Sequence, residues 1–149
     1  MKEVLKCRTQ LRQPLSRISE CTAETGEPSI SSAGAAATRE YSTVTDEEQV
    51  KSMVEWTVKT YGGIDIMFSN AGTVSSSEQT ILELDFSQYD TLMRVNVRGM
   101  AVCVKQAARK MIELGTKGSI ICSASVMAAI GTQKFTDYAM SKHAVLGLV

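Results

Sequence analysis

Two short runs, Ile64-Asp-Ile-Met-Phe-Ser69 and Gly118-Ser-Ile-Ile-Cys-Ser-Ala124, constrain the fold of this chain more than any other feature. Each is almost wholly apolar over strand length, which suits a strand covered on both faces of a parallel sheet. Parallel strands need a crossover of a dozen or more residues, and the chain supplies one. Asp85-Phe-Ser-Gln88 is a capping box, after which Tyr89, Leu92, Met93, Asn96, Met100, Val104, Ala107 and Met111 follow along one helical stripe to about Glu113. Upstream, Thr45-Asp-Glu-Glu48 is another capping box, with Asp46 and Glu47 where the helix dipole favours negative charge. Val50, Met53, Val54, Thr57, Val58 and Tyr61 continue at helical spacing until Gly62-Gly63 stops them. Downstream, a connection over 125–136 leads to a helix that starts near Asp137 and runs to Val149. The order helix, strand, long helix, strand, helix predicts part of an α/β sandwich on a parallel sheet with right-handed crossovers.

Composition excludes several classes of function. Sixteen Lys and Arg balance sixteen Asp and Glu, so no electrostatic case exists for nucleic acid or an anionic membrane. No stretch reaches the roughly 18 consecutive apolar residues of a spanning helix. The four cysteines, Cys7, Cys21, Cys103 and Cys122, form no Cys-x-x-Cys pair, and a single histidine, His143, completes no zinc set. No metal site is expected. Cys103 and Cys122 fit small buried apolar positions, and a reducing cytosol is the default compartment. Arg8, Arg12 and Arg17 among serines point more weakly to an organelle, against Glu3, Glu20, Glu24 and Glu27. The chain changes character near Thr43. Pro14, Pro28 and the small, turn-forming residues 25–38 precede that point, and such a stretch buries too little surface to offset its ordering entropy. Residues 1–40 are therefore expected to be mostly disordered, with a short helix around 2–20. The division expected is an atypical segment 1–43 and a folded unit 44–149.

Three polar groups carry the chemistry. Tyr138 and Lys142 stand four apart, which on a helix places them on one face. A neighbouring ammonium favours the phenolate and lowers a pKa that is ordinarily about 10. A tyrosine tuned in this way exchanges a proton with an alcohol or carbonyl near neutral pH. Ser125, on the preceding strand-to-helix connection, could hydrogen-bond the same substrate oxygen. Asn70-Ala71-Gly72 directly follows the first apolar run, at the carboxyl end of a strand, where parallel sheets bind ligands. Asn96 is an amide inside an apolar stripe, and a buried amide needs partners.

Together these residues resemble the short-chain dehydrogenases/reductases. Tyr138-Ala-Met-Ser-Lys142 is similar to the family's Tyr-x-x-x-Lys, and Ser125, thirteen positions earlier, lies at the family spacing of the catalytic serine. Phe68-Ser-Asn-Ala-Gly72 resembles Asn-Asn-Ala-Gly, with Ser69 in place of the first Asn, and Val95-Asn96-Val97 resembles the family's Val-Asn segment. The resemblance covers residues 44–149. It implies a partial Rossmann-like three-layer sandwich and an oxidoreductase that interconverts a secondary alcohol and a ketone with NAD or NADP. It implies Tyr138 as general acid or base, Lys142 as tuner of Tyr138 and contact of the nicotinamide ribose, and Ser125 as the group that orients the substrate oxygen. Asn96 would hold a water that links the lysine to solvent. Asn70, Ala71 and Gly72 would lie against the adenosine part of the cofactor. The helices 86–113 and 138 onward would form the main interface of a homo-oligomer. Asp65-Ile-Met-Phe-Ser-Asn-Ala-Gly and Ser141-Lys-His-Ala-Val-Leu-Gly-Leu are most similar to plant members of the secoisolariciresinol dehydrogenase-like group, which favours NAD and a small secondary metabolite.

Two departures limit the match. The family opens with a strand and Thr-Gly-x-x-x-Gly-x-Gly, whose glycines and helix N-terminus hold the pyrophosphate. Neither Thr25-Gly26 nor Ala33-Gly34-Ala35 supplies it, and Thr43 stands where the family carries an Asp. About 100 residues after position 149 are also expected to be missing. A chain truncated at both ends would be impaired, with an open sheet edge and an uncovered apolar face. The alternative function is a non-catalytic fragment that associates through its interface helices.

Overall fold

The computed structural model describes residues 5–12, 16–23, 37–41 and 43–149, with side chains from Thr43 onward. In chain order its strands and α-helices are β1 (Leu5–Arg12), β2 (Ser16–Ala23), β3 (Ala37–Tyr41), α1 (Glu47–Tyr61), β4 (Ile66–Ser69), α2 (Phe86–Met93), α3 (Met100–Glu113), β5 (Ser119–Cys122) and α4 (Thr136–Leu146). Between α2 and α3 the helix continues as a π segment, Arg94–Gly99. The sheet order is β3-β1-β2-β4-β5. The β2–β4 and β4–β5 pairings are parallel, while β1 runs antiparallel to both β2 and β3.

The two apolar runs thus become adjacent parallel strands joined by the long helix, as their sequence predicts. Parallel register places Met67 beside Ile120 and Ser69 beside Cys122 on one face, and Phe68 beside Ile121 on the other. The first face meets α1 and α3. Ile64 and Met67 close there on Met53, Val54, Val102, Cys103, Ala107 and Met111, all buried. On the opposite face Ile121 is half exposed. Cys103 is buried and Cys122 half-buried, in keeping with the small apolar role assigned to them.

Four expectations are corrected. The helix expected around 2–20 is replaced by β1 and β2. Leu5, Cys7, Thr9 and Leu11 alternate with Lys6, Arg8, Gln10 and Arg12, a period of two that belongs to a strand. Residues 24–36, most of the small-residue stretch, lie outside the described residues. The edge of β4 is not open: β2 pairs with it in parallel from Ile18 opposite Ile66 to Cys21 opposite Ser69. The cap of α1 is Asp46 rather than Thr45. Its carboxylate accepts from the Glu48 and Gln49 N–H groups, and the Gln49 side-chain amide donates back to Asp46 Oδ2 at 3.0 Å. A carboxylate with two oxygens satisfies more orphan donors at this positive helix end than a hydroxyl does. Finally, α4 ends at Leu146, where the Gly147 and Leu148 amides fall back on the His143 and Val145 carbonyls. The cap at Asp85 is as expected, as is the stop at Gly62, whose φ of 79° lies in the left-handed region open to glycine.

Ser69 is fully buried, and its hydroxyl has no hydrogen-bond partner among the described residues. Leaving a buried donor unpaired costs about 1–3 kcal/mol. Ser69→Ala should therefore raise the urea unfolding midpoint, with a gain of about 1 kcal/mol once the small lost volume is discounted. A lower midpoint would show that the hydroxyl is satisfied in solution.

Candidate active site

Asn96 lies in the middle of the π segment, fully buried. A π segment wedged into an α-helix locally changes the hydrogen-bond ladder and re-aims the side chains it carries. Asn96 uses that aim to grip the loop after β4. Its Oδ1 accepts from the Thr73 N–H at 2.8 Å, and its Nδ2 donates to the Thr73 carbonyl at 2.9 Å. The second hydrogen on Nδ2 goes to Ser141 Oγ on α4, at 3.0 Å. The Ser141 hydroxyl in turn donates to the Tyr138 carbonyl at 2.8 Å. One amide therefore ties together the β4 loop, the long helix and α4.

The carboxyl ends of β4 and β5 form the floor. The Ser123 hydroxyl donates to Asn70 Oδ1, and the Ser123 N–H donates to the Ser69 carbonyl at 3.0 Å. The Ser123 carbonyl accepts from Lys142 Nζ at 3.1 Å. Lys142 is 4% exposed, and its ammonium lies 5.6 Å from the centre of the Tyr138 ring. Gly72 completes the enclosure. A Cβ on it would stand 3.4 Å from Lys142 Nζ and 3.5 Å from Asn96 Oδ1, so any side chain there would fill the space over the cation. Tyr138 itself is half-buried. Ser125 stands apart from this cluster. It caps the short turn Val126–Ala128 that packs on α4, with its Oγ accepting from the Met127 N–H at 3.3 Å.

The structure thus brings Asn70, Gly72, Asn96, Tyr138 and Lys142 to one place, with Ala71 buried beneath them. It adds two residues that the motif spacing leaves silent, Ser123 and Ser141. Ser123 looks like an ordinary strand serine, and Ser141 like a helix serine. Only the meeting of the β5 end with the loop after β4, and of α4 with the π segment, reveals their partners. His143 is exposed, with its ring nitrogen on the Ala139 carbonyl, away from the cluster.

The loop over 72–85 is stitched down. Gln79 pairs with Phe135 in a parallel bridge, donating its N–H to the Lys134 carbonyl and accepting from the Thr136 N–H. The buried Gln79 side chain accepts from the Asp85 N–H, and Gln88 accepts from the Ser76 N–H. Ser75 donates to the buried carboxylate of Asp137, beside Tyr138.

Burial holds the Lys142 ammonium below the ordinary lysine value of 10.5. The folded chain then binds fewer protons here than the unfolded chain between that lowered value and 10.5. Stability therefore rises as pH is raised through this window, and the penalty is fully present below it. Lys142→Met should flatten this rise in unfolding midpoints taken from neutral pH to about 10.5. An unchanged slope would place the amine in water.

A buried cation beside a half-buried phenol places an ammonium donor and a hydroxyl side by side. No helix among the described residues is long and apolar enough to cross a membrane, and no group of three metal-ligating side chains occurs among them.

The family model for short chain dehydrogenase matches residues 11–149, beginning within the segment expected to be atypical. A (+)-cis,trans-nepetalactol synthase of Nepeta racemosa is 61% identical over 106 residues, covering 71% of this chain and 39% of the relative. A (−)-isopiperitenol/(−)-carveol dehydrogenase of Mentha piperita, named as mitochondrial, is 60% identical over 106 residues, covering 71% and 40%. The solved structure of an NAD+-bound xylitol dehydrogenase superposes with a TM-score of 0.66 at 30% identity, covering 70% of this chain and 40% of that one. The chain spans about 40% of the length of the curated relatives it matches. On the family match over residues 11–149 and the shared fold, this chain belongs to the short-chain dehydrogenase family.

Proposed function

We propose that this chain carries the proton-transfer half of an NAD(P)-dependent oxidoreductase site that interconverts a secondary alcohol and a ketone of a small terpenoid-like substrate. The observation that carries the reading is the Lys142 ammonium, buried 5.6 Å from the Tyr138 ring and anchored on the Ser123 carbonyl. In this reading Tyr138 protonates the carbonyl oxygen in reduction and takes the proton back in alcohol oxidation. Lys142 donates to the nicotinamide ribose. Ser125 orients the substrate: its oxygen accepts from Met127, which leaves its own proton for the substrate oxygen. Asn96 has its side chain committed to Thr73 and Ser141. Its role is to hold the π segment beside the lysine, where a relay water would sit.

The residues fit a nicotinamide dinucleotide at one end. Gly72 leaves the space over Lys142 clear of a Cβ, and Asn70, Ala71 and Gly72 lie at a strand's carboxyl end, the usual place for such a ligand in an open sheet. When bound, the cofactor supplies the hydride. NAD is favoured over NADP, in line with the plant-like phrasing of the chain. The carveol dehydrogenase relative supports a small cyclic alcohol as substrate, the cytosol is the compartment proposed, and a homo-oligomer is the proposed state.

Titration of the chain with NADH and NADPH by fluorescence tests the reading, followed by turnover of carveol. Saturable binding below millimolar cofactor supports it. No binding at millimolar cofactor would overturn it, and capture of a full-length relative in a pull-down would then favour a non-catalytic association fragment.

A further inference from the structure

The residue between the tyrosine and the lysine that the chemistry leaves unused is Ser141. It is fully buried, and both of its hydrogen-bonding functions are spent, one within α4 and one across to the π segment. Its single proton goes to the Tyr138 carbonyl, three residues back on α4. Its oxygen takes the second Nδ2 hydrogen of Asn96 from the π segment. The other hydrogen and the Oδ1 of that amide are occupied by Thr73, next to Gly72. The hydroxyl is therefore the link through which the long helix fixes the rotation and height of α4. That fix matters at the adjacent residue, because Lys142 Nζ has to reach the Ser123 carbonyl while staying under Gly72.

We propose that Ser141 is a positioning residue: its hydroxyl clamps α4 to the π segment, so that Lys142 is held beneath Tyr138 and sealed from solvent. Without the hydroxyl, one buried N–H of Asn96 loses its acceptor. The amide can then regain a partner only by turning or by admitting water, and either change loosens the seam that covers the lysine. The proposal rests on the reading of Asn96, Tyr138 and Lys142 as one site, but its test needs no turnover.

The test is the rate of acetylation of Lys142 by acetic anhydride, followed by peptide mass spectrometry over a range of pH on the intact chain. Four chains are compared: wild type, Ser141→Ala, Ser141→Thr and Thr57→Ala. Thr57 is the control because it is an equally buried hydroxyl, bonded to the Met53 carbonyl within α1 and remote from α4. Ser141→Ala should raise the Lys142 rate about fivefold to tenfold and shift its pH profile towards that of an exposed lysine. Ser141→Thr, which keeps the hydroxyl, should stay within twofold of wild type. Thr57→Ala should lower the melting temperature without moving the Lys142 rate. The proposal is overturned if Ser141→Ala labels like wild type, or if Thr57→Ala raises the rate as much. Should Ser141→Ala not fold, Ser141→Cys replaces it. The thiol keeps the volume but bonds weakly, so it should label fast, and wild-type labelling would sink the idea. A chain that fails to bind NADH yet shows this pattern keeps the clamp and loses only the enzyme reading.

Discussion

On the proposed oxidoreductase reading, phenylalanine at position 138 should leave the chain folded and NADH binding within about threefold, while turnover of an alcohol substrate falls by about 10²–10⁴, the range for loss of a positioned acid or base. The asymmetry follows from where the phenol sits. The Tyr138 ring is half-buried over the Lys142 ammonium, and the backbone of Tyr138 makes the structural bonds, its carbonyl to Ser141 and its N–H to Asp137. Removing the hydroxyl therefore deletes chemistry and little packing. Rates measured with saturating cofactor separate the two, because a purely structural tyrosine would change the melting temperature and the cofactor affinity together. Retention of turnover within tenfold would remove Tyr138 from the reaction.

The second large effect is on folding. Gly118→Ala, one residue before β5, should lower stability by about 3 kcal/mol, the upper end of the range for overpacking. A Cβ at Gly118 would lie 2.7 Å from the Asp65 carbonyl oxygen and 2.7 Å from Met111 Sδ. The methionine can move. The carbonyl cannot, since it accepts the Ser119 N–H at 2.8 Å at the start of the β4–β5 pairing. The methyl group must then push β5 off β4, and with it Ser123 and Ser125. Gly131→Ala is the control, because nothing among the described residues lies within 4 Å of a Cβ there. Its midpoint should stay within about 0.5 kcal/mol of wild type. Equal midpoints for the two variants would mean that β5 has room to shift.

What the sequence shows clearly is what depends on local period. The apolar runs around Met67 and Ile120 were legible as strands and the stripe from Tyr89 to Met111 as the helix between them, but the cover expected on both faces fails at β5, where Ile121 is half exposed. The i, i+4 spacing of Tyr138 and Lys142 likewise needs nothing beyond a helix. The π segment was not legible, because Arg94–Gly99 keeps a helical apolar pattern while its ladder changes. Ser123 and Ser141 were not legible either. A serine is compatible with a strand, a helix or a cap, and only the crossing of distant elements assigns its partners. The alternation in β1 is present in the letters from Leu5 to Arg12, but it spans one short strand, and Pro14, Pro28 and the small residues 25–38 that follow carry no such period. At Asp46 the reading failed by one residue, since Thr45 and Asp46 are both good caps and only the geometry of the entering chain chooses between them.

The parallel bridge at Gln79 has a consequence for how the site can open. It joins the backbone before Asp85 to the first turn of α4, so the loop and the helix bearing Tyr138 share their boundary hydrogen bonds. Segments coupled in this way unfold as one cooperative unit rather than fraying separately. Opening the loop over 72–85 therefore means breaking hydrogen bonds that also secure the start of the helix bearing Tyr138 and Lys142.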